Sequence, residues 1–141
     1  MELAQHLCVN LRKQYPNDSF LAYLGASTTA FGTGLNKHNI IFDMNNVLVS
    51  RLALSDANTI GDSALKSLLH RVVFESKSMS DNMPRAKYLY DEVKKMLPDY
   101  YITVFVTDVI SNDRPVLDGP HKGLTYFWEP EFGDHVTVVI H

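Results

Sequence analysis

Cysteine is nearly missing from this chain. Cys8 stands alone among 141 residues, so neither an internal disulfide nor a cysteine-based zinc cage can form, and a reducing interior suits it. An excess of basic charge is missing too. The net charge is −3 and the pI about 6.0, which leaves no basic stripe for nucleic acid. The tyrosines at 88, 90, 100 and 101 are not interleaved with the base that single-strand stacking uses. No apolar run approaches the ~20 residues of a membrane span. Met1-Glu2-Leu3 opens without a basic n-region, so no secretory signal is expected. There is no low-complexity stretch and no long linker. With 45% hydrophobic residues the chain can fill a packed interior. The expectation is a cytoplasmic globular protein of one domain, or of two very small ones sharing a core.

Catalytic signatures are equally sparse. Gly25, Gly32 and Gly34 lack the spacing and the following helix of a phosphate loop. His135-Val136-Thr137 has the His-x-Thr form of two-histidine phosphoesterases. Those enzymes need two such motifs, one histidine as base and one as acid, and no second is present. The same residues read as a strand end on which His135 and Thr137 share one face while Val136, Val138 and Ile140 face a core. His121, Asp134, His135 and His141 have no metal-ligand spacing, and His141, the last residue, is expected to fray. Cys8 and His6 are two apart on a helix and do not face each other, so Cys8 reads as a small buried hydrophobe. His38 and His70 read as solvated. No cofactor and no metal are expected, and no enzyme.

What is present is a pattern stated twice. Leu3, Leu7, Leu11 and Tyr15 recur every four residues, predicting one face of a helix that Pro16 stops. An apolar strand follows from Phe20 to Gly25, reading as buried on both faces. Residues 26–38 predict a weak edge strand. Strands follow at 39–42 and 47–54, with Asn45-Asn46 as a hairpin turn. Asp62 or Ser63 is expected to cap a helix over 62–77 carrying Leu65, Leu68, Leu69, Val72 and Val73 on one face. After a polar break at 78–82, Pro84 suits the first turn of a helix with the stripe Ala86, Leu89, Val93 and Met96. Asp91 is expected to pair with Lys94 or Lys95, and Pro98 ends that helix. Strands are predicted at 101–110, 123–128 and 135–140. A loop is predicted at 111–120 and a turn at 129–131. The fold class is therefore α+β with antiparallel sheets, built from two helix–strand repeats at 1–55 and 56–141, the second with two helices. Such a layout suggests duplication, or a dimer written as one polypeptide.

Residues 21–49 carry a family resemblance. A short apolar strand ends at Gly25 and a small-residue stretch follows. Then come Lys37-His38, the aliphatic–aromatic strand to Phe42, a tight turn and Val47-Leu48-Val49. This stretch, with Lys13-Gln14-Tyr15 before it, resembles the small peptide-binding dynein light chains. Residues 84–140 repeat the layout more loosely, with His121-Lys122 before one strand and Gly133 before the last. That half is also similar in layout to the Tctex-type light chains. The resemblance implies a non-catalytic hub whose units exchange a strand, either in an intramolecular pseudo-dimer or by self-association. It implies that an extended segment of a protein partner adds to a free sheet edge. On that reading Thr28, Phe31, Thr33 and Gly34 form the edge, Ile41 and Asp43 line the groove, and Asp108, Ile110 and Ser111 serve the second unit. The chain departs from the family at several positions. Ile41 and Asp43 replace groove tyrosines, Gly34 a histidine, and Leu21 the interface histidine. The family's ordinary peptide motif and its histidine-based response to pH are left without those residues. Two other readings from different classes are a small phosphoesterase using His135 and Thr137, and an α+β regulator acting through the 112–121 loop.

Overall fold

The computed structural model describes residues 2–24, 28–32, 40–44, 47–53, 55, 60–107, 116–118, 125–128 and 135–141. Its elements in chain order are α1 (Glu2–Gln14), β1 (Ser19–Leu24), β2 (Thr28–Gly32), β3 (Ile40–Met44), β4 (Val47–Leu52), α2 (Asp62–Glu75), α3 (Asn82–Met96), β5 (Ile102–Thr107), β6 (Val116–Asp118), β7 (Thr125–Trp128) and β8 (His135–Ile140). A short 3-10 turn, Ser76–Ser78, lies between α2 and α3. The class is α+β, as the sequence predicts.

All pairing is antiparallel, in two four-stranded sheets ordered β3-β4-β1-β6 and β2-β5-β8-β7. Replacing β1, β3 and β4 by β5, β7 and β8 turns the first order into the second, with β6 and β2 in equivalent places. Ala22 pairs with Val49 on one side and Val116 on the other. Val104 pairs with Val138 on one side and Phe31 on the other. Outward from these, Val49 pairs with Phe42 and Val138 with Tyr126. Each sheet thus takes three strands from one half of the chain and its last strand from the other half.

Strand alternation sorts the side chains into three apolar layers. On the first sheet, Phe20, Ala22 and Val49 face α1, where they meet Ala4 and Cys8. Leu21, Leu48 and Leu52 point the other way and meet Phe105 and Val139 of the second sheet. The opposite face of that sheet presents Ile102, Val104, Val106, Val136, Val138 and Ile140 to Leu65, Leu69, Val72 and Val73 of α2 and to Ala86, Leu89 and Val93 of α3. The order is helix, sheet, sheet, helix pair. Both faces of β1 and β5 are covered, which is why their sequences read as continuous apolar runs rather than alternating ones.

Several local expectations are corrected. On α1 the buried residues are Ala4 and Cys8, Leu7 and Leu11 are half-buried, and Leu3 is 53% exposed. Tyr15 lies past the helix and is exposed. A four-residue step overshoots a helical turn by about 40°, so Leu3 and Tyr15 fall off opposite rims of the stripe. The N-cap of α2 is Gly61, with extended backbone and no capping side chain, and Asp62 is already helical. Leu68 lies at the margin of its stripe and is exposed. Lys95 pairs with Glu92 at 3.1 Å. Lys94 donates to the Pro98 and Tyr100 carbonyls instead, closing the end of α3 as a cation near helix-terminal carbonyls does. The predicted 111–120 loop contains β6. The expected strand ends at 53–54, 108–110 and 123–124 fall outside the observed strands or outside the described residues. The Asn45-Asn46 turn and the 129–131 turn also lie outside the described residues.

Because Leu21 is fully buried between the sheets, Leu21→Ala is expected to lower the unfolding free energy by about 3 kcal/mol. Leu3→Ala, at an exposed site, stays within about 0.5 kcal/mol. Urea unfolding of both variants checks this. Equal effects would contradict a packed layer between the sheets.

Candidate functional site

A sheet edge is a row of unpaired N–H and C=O groups, and proteins guard such edges with charges, prolines and bulges. The four terminal strands here differ in that respect. On the first sheet, β3 contains Asp43 and a register shift between Ile40 and Phe42, which bends a strand away from regular pairing. At the other end β6 contains Asp118 and follows directly on Pro115. On the second sheet, β2 is Thr-Thr-Ala-Phe-Gly and β7 is Thr-Tyr-Phe-Trp, neither with a charge or a proline. Both keep an unbroken register, β2 from Thr28 opposite Thr107 to Gly32 opposite Thr103. Among the described strand residues, a charge stands on both edge strands of the first sheet and on neither edge strand of the second.

Helices pack on three of these edge strands. α3 packs on β5 and β2, and α1 packs on β1 and β6. The strand at each of these two edges therefore lies beside a helix laid across the same pair of strands. α2 packs on β7 and α3.

Of the residues the sequence nominates, Thr28 and Phe31 lie together on β2, and Ile41 and Asp43 lie together on β3. These are terminal strands of different sheets. Ile41 sits at the register shift, the least regular point of its edge. Thr33, Gly34, Asp108, Ile110 and Ser111 lie outside the described residues. The uncharged edge of β7 is a candidate the sequence reading passed over. Its signal was the run Thr125-Tyr126-Phe127-Trp128 with no charge. β6 was hidden by Pro115, Gly119 and Pro120 around three strand residues.

The histidine chemistry is placed differently from expectation. His141 does not fray: it is fully buried. Its backbone N–H donates to Tyr101 O at 2.8 Å, and its carbonyl accepts from Ser55 N–H at 3.0 Å. Nδ1 contacts the Ala53 carbonyl, and Nε2 lies 2.9 Å from Thr103 Oγ1. A carbonyl only accepts, so in the neutral ring Nδ1 carries the proton and Nε2 accepts from the threonine hydroxyl. Ala53 and Ser55 follow β4, while Thr103 lies on β5. His141 therefore fastens one sheet to the other. Thr137 is also buried, with 3% exposure, and points toward the other sheet with Val139. Its hydroxyl is not offered to a phosphate in water. His70 is exposed, as expected, and stacks on Phe74. His38, His121 and Asp134 are outside the described residues.

The polar groups on the surface read as structural. The Tyr88 hydroxyl donates to Glu75 Oε2 at 3.4 Å, joining α3 to α2. Burial, and after it the negative charge of Glu75 and Glu92, raises its ionisation above the ordinary tyrosine range. Arg51 lies over the rings of Tyr15 and Phe20 and 3.2 Å from Asp18. Among the described residues no group of three or more His, Cys, Asp or Glu side chains is placed to hold a metal ion. Among the same residues no helix is long and apolar enough to cross a membrane.

Comparisons with protein-family models, with curated proteins and with solved structures return no match to the chain.

His141→Phe keeps a buried ring and removes both nitrogen contacts. Leaving the Ala53 carbonyl and the Thr103 hydroxyl unsatisfied is expected to cost about 2–4 kcal/mol of unfolding free energy. An unchanged urea midpoint would show that the clasp between the sheets carries no stability.

Proposed function

We propose that this protein is a non-catalytic adaptor. Two related helix–strand units, 1–55 and 56–141, fold together as an intramolecular pseudo-dimer of the dynein-light-chain kind. The sheet edge at β2 receives an extended segment of a protein partner as an added strand, in the cytoplasm, and so serves complex assembly. The observation that carries the reading is the unguarded, regularly paired edge of β2, beside a helix and free of charge and proline. Main-chain hydrogen bonds along such an edge give affinity, and alternating side-chain positions give selectivity. The pseudo-dimer is supported by the matching strand orders and by the strand that each half gives to the other's sheet. The non-catalytic reading is supported by the burial of Thr137 and of His141. No observation favours the phosphoesterase or the loop regulator over it.

Proline replacement separates the two sides of β2. In an antiparallel pair, successive residues aim their N–H groups alternately at the partner strand and away from it. Of Ala30→Pro and Phe31→Pro, one removes a ladder bond to β5 and the other a donor on the outer side. Peptides selected from a displayed random library are expected to bind wild type. They should lose at least about tenfold in affinity, near 1.4 kcal/mol, to whichever of the two variants retains the wild-type unfolding midpoint. Undiminished binding to both β2 variants would remove the proposal.

A further inference from the structure

The outer side of α2 holds an aromatic ring in water. The helix turns Leu65, Leu69, Val72 and Val73 to the core. Phe74 lies on the far side and is 58% exposed, so the interior does not use it. Its ring is held in place all the same. His70, one turn earlier, stacks on it with 6.4 Å between centroids and 15° between planes. Lys77 Nζ lies 5.8 Å from its centroid, within cation–π reach. Lys66, one turn before His70, continues the row and is exposed. A flat apolar pair thus stands between two lysines whose backbones are roughly 16 Å apart along the helix. Glu75, the acid next to Phe74 in sequence, is turned aside: it accepts from the Tyr88 hydroxyl of α3 and meets Arg71 at 3.9 Å. In a chain of net charge −3, the described side chains of this strip include two lysines and no carboxylate.

We infer that this strip is a docking surface for an acidic, amphipathic helix of a protein partner. The charge of the strip selects the occupant. Carboxylates toward the two ends of the partner helix meet Lys66 and Lys77, and aliphatic side chains between them cover Phe74 and His70. The occupant is a helix because Lys66, His70 and Phe74 form a ridge of four-residue steps, the kind that packs into the groove of a second helix. The lysine stems extend the apolar floor while their ammonium groups stay at the rim. A ring already held by its neighbours loses little freedom when it is covered, which suits it to anchor an interface. The surface lies on a different element from the β2 edge and does not depend on strand addition.

The test uses a labelled synthetic peptide, Glu-Glu-Ala-Leu-Ala-Gln-Leu-Leu-Ala-Gln-Glu-Glu, with blocked ends. Fluorescence anisotropy with the full chain at low salt is expected to show saturable binding with a Kd below about 1 mM. Phe74→Ala should weaken it about tenfold. The double variant Lys66→Glu, Lys77→Glu should lose this peptide and bind the same peptide with lysine in place of glutamate. That rescue requires a folded chain, so it separates charge recognition from loss of structure. No saturable binding, binding that Phe74→Ala leaves unchanged, or a charge swap without rescue would overturn the inference. So would anionic phosphatidylserine vesicles, or a second copy of the chain, held through Phe74 in preference to the peptide, since each puts a different occupant on the strip. Loss of library peptides to the β2 proline variants and loss of the helical probe to Phe74→Ala are separate results, and either reading can fail alone.

Discussion

The exchange of one strand between the two halves of the chain is the constraint that governs the other features of the fold. β2 leaves the half that contains β1, β3 and β4 to close the edge of β5, and β6 makes the reverse crossing to β1. Neither sheet is complete without the other half. The crossing also forces the sheets face to face, because strands adjacent in sequence must reach different sheets over short connections. The layer of Leu21, Leu48, Leu52, Phe105 and Val139 is the consequence, and His141 ties the same two sheets by hydrogen bonds to Thr103 and to the segment after β4.

The placing of the helices is a result of that arrangement. With one face of each sheet turned inward, the outer faces need covering. α1 covers β1 and β6, and α3 covers β5 and β2. α1 and α3 thus cover matching pairs of strands, and α2 rests on β7 and α3. The asymmetry extends to the edges: aspartate and a register shift at the ends of one sheet, uncharged strands at the ends of the other. A protein that needed only to fold would guard all its edges. Among the described residues the two edge strands of the second sheet carry no charge, and the proposed docking role rests on that.

Much of the fold was legible because the local signals were strong. Pro16 and Pro98 mark two helix ends, and Phe20 to Ala22 and Ile102 to Val106 are runs that suit strands covered on both faces. Of the stripe Ala86, Leu89, Val93 and Met96, the first three are buried and Met96 is half-buried. What was not legible depended on tertiary partners. Three strand residues between Pro115 and Gly119 cannot outweigh turn-forming neighbours by local propensity, and β6 exists because β1 offers an edge. The four-residue spacing from Leu3 to Tyr15 suggested a stripe, but the helix buries the small residues Ala4 and Cys8, which let it lie close to the sheet. His141 looked like a fraying end because nothing local shows that Thr103 and Ala53 converge on it. For the site, Thr28 and Phe31 were read onto a terminal strand as they are observed. That Ile41 and Asp43 end up on the other sheet depends on the crossing, which no local pattern encodes.

Native-state hydrogen exchange tests the crossing most directly. If each sheet needs a strand from the other half, the slowest amides of β1 and of β5 must open together, with one free energy equal to that of global unfolding. The account predicts that equality across denaturant concentrations. Protection of β5 that persists while β1 exchanges through an opening several kcal/mol lower in free energy would contradict it, since the two sheets would then stand independently.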